Sequence, residues 1–114
     1  MTTLQVTNSK GRAFTIRMVY QGDSYGLDNC LTHDETDPLV EFYDATYAGD
    51  DRFDPLGQFV TSYNARVLLG EWEYFGPRVP GQGLDLMGHE PVWKIDGDTM
   101  REVEAFIRRE RKNG

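Results

Sequence analysis

Residues 3–20 read TLQVTNSKGRAFTIRMVY, and the fold turns on this stretch. Phe14, Ile16, Met18 and Tyr20 recur at period two, the spacing that puts alternate side chains on one face of a strand. Leu4 and Val6 alternate in the same way ahead of them. NSKGR lies between the two runs, and its Gly11 tolerates the positive φ of a tight connection. The expectation is a β-hairpin with one buried face.

Working outward, Gln21 to Asp37 is polar and rich in turn formers such as Gly22, Gly26 and Asn29. CLTH (30–33) fits a short edge strand. Pro38 favours an extended residue before it and suits the first position of a strand, so LVEFY (39–43) is expected to be the third strand. Its alternation places Val40 and Phe42 on one face, Glu41 and Tyr43 on the other, and Asp44 at its end. Asp54-Pro55 has the composition of a helix start. Phe59, Val60, Tyr63, Val67 and Leu68 follow at helical spacing, and Gly70 closes the run, which predicts a helix from Pro55 to Leu69. Residues 70–90 carry five glycines and two prolines and read as the loosest part, with EWEYF (71–75), GLDLM (83–87) and PVWKI (91–95) as extended pieces. Thr99 and Glu102 form a capping-box pattern ahead of Met100, Val103, Phe106 and Ile107, which share one helical face. Arg108, Arg109, Arg111 and Lys112 sit where a helix dipole favours cations.

These elements predict one α+β domain: a mostly antiparallel sheet of four to five strands with two packed helices. The 114 residues suit a single core that buries roughly two thirds of the unfolded chain's surface. That core is expected to draw on Phe14, Ile16, Met18, Val40, Phe42, Phe59, Val60, Tyr63, Val67, Val92, Ile95, Val103, Phe106 and Ile107. No run approaches the ~20 apolar residues of a bilayer span, and no secretory leader pattern opens the chain. One cysteine, Cys30, forms no internal disulfide, which fits a cytoplasmic protein and equally a protein that needs no staple.

The net charge of −7 argues against direct binding to nucleic acid or anionic membrane, since phosphate recognition rests on Lys and Arg. The charge is regional. Residues 21–54 hold ten acids against the single base Arg52, a balance of −9, whereas residues 1–20 hold three bases and no acid.

Several motifs bear on chemistry. Cys30 and His33 are three apart, as on one helical face, and with neighbouring acids would make a small cysteine- or metal-dependent hydrolase. A strand would put them on opposite faces, and the surrounding carboxylates would raise a thiol pKa, against nucleophile formation. His33, Asp34, Glu35 and Asp37 offer mixed metal ligands, with His89 and Glu90 further on, but they match no zinc or EF-hand spacing. GPRVPGQG (76–83) lacks the Lys-Ser/Thr ending of a phosphate loop. The basic C-terminal run shares its helix with Glu102, Glu104 and Glu110 and has no interleaved aromatics for base stacking. No catalytic residue, metal or cofactor is therefore expected.

What stands out is the mixture of acids and aromatics over residues 21–54. Carboxylates steer a basic partner, and aromatics are enriched at interface cores. The expected partner-binding residues are Asp34, Glu35, Asp37, Asp44, Asp50 and Asp51 for charge, with Tyr25, Tyr43 and Tyr47 for contact. The expected partner is a protein with a basic surface, such as a nucleic-acid-binding complex. Self-association through a sheet edge is a third reading. The blocks LTHDETDPLVEFYD (31–44) and GQFVTSYNARVLL (57–69), about a quarter of the chain, resemble the core of small uncharacterised bacterial proteins of phages, plasmids and integrated elements. That resemblance implies a type of role, the blocking of a host defence complex of the CRISPR or restriction kind, and no active-site residues.

Overall fold

The computed structural model describes residues 2–19, 38–71, 79–86 and 92–113. The hairpin forms as the alternation requires, with β1 (Thr3–Thr7) antiparallel to β2 (Ala13–Val19). β3 (Leu39–Asp44) pairs with β2, and β4 (Gln58–Asn64) pairs with β3, giving an antiparallel sheet in the order β1-β2-β3-β4. A second, two-stranded sheet joins β5 (Leu84–Asp85) to β6 (Lys94–Ile95). α1 (Ala65–Leu68) is a single turn, and α2 (Gly97–Asn113) is the main helix. The chain is an α+β domain. No helix among the described residues is long and apolar enough to cross a membrane.

α2 lies against β1 and β2. Its Met100, Val103, Phe106 and Ile107 are buried with Phe14, Ile16, Val40 and Phe42 of the sheet. Phe42 meets Tyr63 edge-on, ring centroids 6.0 Å apart. Removing a ring such as Phe42 from this packing costs about 3–5 kcal/mol.

The expected helix over 55–69 is corrected to a turn, a strand and one helical turn. Asp54-Pro55-Leu56-Gly57 closes a β-turn: the Leu56 N–H donates to Asp54 Oδ1 at 2.9 Å and the Gly57 N–H to the Asp54 carbonyl at 2.8 Å. Asp first, Pro second and Gly fourth is also the composition of a type I turn. Gly57 sits at φ 125° with its α-carbon against β3, and a Cβ there would overlap the Asp44 carbonyl oxygen. The next seven residues, QFVTSYN, hold β-branched and aromatic strand formers. Asn64 ends the strand by accepting the Arg66 N–H at 2.8 Å, which caps α1.

β4 also changes parity within its length. Phe42 pairs with Thr61 but Tyr43 pairs with Phe59, so Val60 is the extra residue of a β-bulge. The bulge turns Val60 into the core and Phe59 to the opposite face, where it is 49% exposed. Phe59 is therefore not the core residue that helical spacing predicts.

The N-terminus of α2 is built by Asp96, not by the expected Thr99–Glu102 box. The Met100 N–H bonds the Asp96 carbonyl at 2.8 Å, closing the first turn. The Asp96 carboxylate accepts from the Ser9 N–H at 3.0 Å and from Thr99 Oγ1 at 3.1 Å. Desolvation pushes the Asp96 pKa up, but these bonds outweigh it and hold the carboxyl below its ordinary value. Asn8 secures the same junction. Its amide donates to the Val92 and Lys94 carbonyls at 2.8 and 2.9 Å, and its oxygen accepts from Lys10 and Arg12 N–H at 3.0 and 2.9 Å. All its hydrogen-bonding positions are filled, as a buried amide requires.

Most described residues of the 70–90 segment are exposed, but its backbone approaches its neighbours closely at two points. A Cβ on Gly83 would come 2.8 Å from the Ile95 carbonyl, and one on Gly97 would come 2.8 Å from that of Gly81. The Gly81 N–H donates to buried Glu104 on α2 at 2.9 Å. These glycines allow close backbone approach. The extended pieces expected at CLTH and over 72–75 lie outside the described residues.

Candidate functional site

β3 ends on Asp44, and the loop that follows is fastened to it. The Asp44 side chain is 1% exposed. Its Oδ1 accepts the Thr46 N–H at 3.0 Å, capping a 3-10 turn over Ala45–Tyr47. Its Oδ2 accepts Arg12 Nη1 at 3.0 Å and Trp93 Nε1 at 2.9 Å. Arg12 Nη1 also donates to Thr46 Oγ1 at 3.0 Å. Three separate segments thus converge on one carboxylate. A buried charge is tolerable when it is paired and hydrogen-bonded in this way.

Beyond the turn, the Tyr47 and Phe53 rings lie 5.1 Å apart. Asp50 binds Arg52 through the Arg52 N–H at 2.9 Å and through the guanidinium at 3.1 and 2.8 Å. The Arg52 side-chain bond, then its backbone bond, hold the Asp50 carboxyl below its ordinary value. The pair is exposed, so solvent screens most of its worth. Asp51 and Asp54 are exposed at the surface of this loop.

A second cluster lies on the sheet face away from α2. Arg17 Nε donates to Glu41 Oε1 at 2.8 Å, Arg17 Nη2 to the Tyr43 hydroxyl at 2.6 Å, and that hydroxyl to Glu41 Oε1 at 3.0 Å. Tyr43 is 3% exposed and meets Phe59 edge-on at 5.5 Å. Burial, then the charge and hydrogen bond of Glu41, push the Tyr43 pKa well up, with Arg17 opposing and Asp54 adding to the rise. Burial works against the Arg17 charge, but Glu41 outweighs it and the net shift is upward. The outcome is a half-exposed Phe59 backed by a neutral, buried phenol, with carboxylates in electrostatic reach.

The expected partner-binding residues thus divide. Asp34, Glu35, Asp37 and Tyr25, with Cys30 and His33, lie outside the described residues. Asp44 and Tyr43 are buried and bonded to internal groups, so they support a surface without presenting one. Asp50 is engaged by Arg52, Tyr47 is part-buried against Phe53, and Asp51 is exposed. Arg12, Trp93 and Phe59 are absent from the sequence reading of the site. Arg12 lies two residues before Phe14, which pairs with Asp44, so it is a diagonal neighbour of that carboxylate, but the register that brings them together is set by the fold and carries no local mark in the sequence. Trp93 is 49 positions from Asp44 and is equally unmarked. Among the described residues, no three His, Cys, Asp or Glu side chains gather to hold a metal ion.

Comparison with models of known families, with curated proteins and with solved structures finds no match to this chain.

Proposed function

We propose that this chain is a non-catalytic binding module that engages a protein partner with a basic surface. The observation that carries the reading is Phe59. The bulge at Val60 turns this ring outward, Tyr43 holds it edge-on, and the exposed Asp54 adds negative charge in electrostatic reach of Tyr43, while Glu41 is committed to Arg17. A large apolar side chain held in place at the surface of an acidic loop is the composition of an interface anchor. The loop beside it adds Asp51 and is held by Asp44 at its start and by Gly57 at its end. Such a surface loses little conformational entropy on binding. The most specific form of the proposal is a phage or mobile-element protein that covers an Arg- and Lys-lined nucleic-acid groove in a host defence complex. Its support is the acidic charge, the small size and the resemblance of the two sequence blocks.

The test uses immobilised full-length chain and a bacterial host lysate, eluted with rising salt, with retained proteins identified by mass spectrometry. A nucleic-acid-binding protein should be retained and should elute as salt screens the charges. Asp51→Lys with Phe59→Ser should abolish that retention, while Glu102→Lys on the exposed side of α2 should leave it intact. A parallel arm reverses Asp34, Glu35 and Asp37. Retention of the same protein by all variants alike, or salt-independent retention, would remove the proposed surface from consideration.

A further inference from the structure

A cavity of about 260 Å³ opens beside the Asp44 junction, lined by Arg12, Asp44, Tyr47, Gln58, Val92 and Trp93. Its polar groups are unevenly used. Asp44 already has three donors, and Arg12 Nη1 directs its hydrogens at Asp44 and Thr46. Among the described residues, Arg12 Nε and Nη2 have no partner. These two nitrogens form the side edge of the guanidinium, the fork that takes a carboxylate through two parallel hydrogen bonds. The Tyr47 hydroxyl and the Gln58 amide also have no hydrogen-bond partner among the described residues. Trp93, Tyr47 and Val92 add flat or apolar wall.

We propose that this cavity binds a small carboxylate carried on a flat apolar ring. The carboxylate sits on the Nε/Nη2 edge of Arg12, with Gln58 and Tyr47 donating beside it, and the ring lies along Trp93. Asp44 fixes the guanidinium so that its free edge is held in one orientation, and Trp93 is held by the same oxygen. The volume falls just below the roughly 300–1,000 Å³ of small-molecule sites, which limits the occupant to about one ring. Asp44 also offsets the charge of Arg12, so recognition rests on fork geometry more than on net charge. The same ligand chemistry has two sources, a free aromatic acid or the terminal carboxylate of a peptide ending in an aromatic residue. The inference is independent of the proposed partner surface, which uses Phe59 and Asp51.

The experiment follows the Trp93 indole N–H by two-dimensional NMR of the full chain while benzoate, benzamide, and a short peptide ending in Phe, as free acid and as amide, are titrated in. Benzoate or the free-acid peptide should give a saturable Trp93 shift, with the matching amide at least tenfold weaker. Tighter binding of the peptide acid assigns the terminal-carboxylate source; tighter benzoate assigns the free acid. Arg12→Lys keeps a cation beside Asp44 but lacks the fork, and it should lose binding at least tenfold. Equal binding of acids and amides, no saturable shift from either acid, or unchanged binding by a folded Arg12→Lys chain overturns the proposal. The acid–amide comparison is made on the wild-type chain and decides the matter even if that variant fails to fold.

Discussion

Replacing Asp44 by Asn keeps the shape of the side chain and removes its charge and one acceptor. The best orientation leaves the amide oxygen on Arg12 and Trp93 and turns the amide nitrogen toward the Thr46 N–H, donor against donor. The cap of the 3-10 turn is then lost, at a cost of about 1 kcal/mol. The two remaining bonds fall from the range of charged acceptors to that of neutral ones, about 1 kcal/mol each. Arg12 is partly exposed, with a quarter of its side chain open to solvent, so its share is at the low end. The sum is about 3 kcal/mol, against a total stability of roughly 6–17 kcal/mol for a chain of this length. Urea unfolding followed by far-ultraviolet circular dichroism should show the midpoint falling by roughly 1.5 M at an m-value of about 2 kcal/mol/M. Arg12→Ala should be less than additive with Asp44→Asn, with a coupling of at least about 1 kcal/mol, because the two remove one interaction. A loss below about 0.5 kcal/mol, or full additivity, would refute the assignment of Asp44 as the junction that fastens the loop.

Gly57→Ala should destabilise by at least about 2 kcal/mol, because a Cβ there meets the Asp44 backbone at a φ of 125°. Gly49→Ala, at φ 83° with open space around it, should cost only about 1 kcal/mol of left-handed strain; equal losses in the same urea experiment would remove the packing argument. Tyr43 should ionise above the ordinary tyrosine range, read as the tyrosinate absorbance that Tyr43→Phe removes. Its folded pKa lies above its unfolded value, so the folded state holds the proton longer. That contribution is complete below about pH 10 and is lost as pH rises through the folded value. Tyr43→Phe should therefore be less sensitive to alkali than wild type, and an equal alkaline slope would count against the buried cluster.

The hairpin, the third strand and the last helix were legible because each carries its own period. Phe14, Ile16 and Val40 with Phe42 alternate, and Met100, Val103, Phe106 and Ile107 recur at helical spacing. The junction at Asp44 has no such local mark. Its donors come from a hairpin turn, from two residues on and from Trp93, and only the Thr46 contact is close enough in sequence to be read as a cap. The acids of residues 21–54 look alike as text, but burial separates them: Asp44 is an internal anchor, Asp50 is held by Arg52, and Asp51 faces solvent. A charge count describes a region, whereas a binding surface depends on which carboxylates remain uncommitted after folding.

The stretch 54–69 shows why the one large misreading arose. Val60, Tyr63 and Leu68 have a helical period because they belong to two different elements, a bulged strand and the single turn of α1, that both face the same core, while Val67 is only half-buried. Strand residues alternate strictly unless a bulge shifts them, and the extra residue at Val60 breaks the alternation that would have identified β4. The same insertion decides what Phe59 does. With regular pairing from Thr61 backward, Phe59 would return to the core face; with Val60 as the extra residue, it lies beside Tyr43 in solvent. One unpaired residue thus both hid the strand from a reading by period and placed at the surface the aromatic ring on which the proposed interface rests.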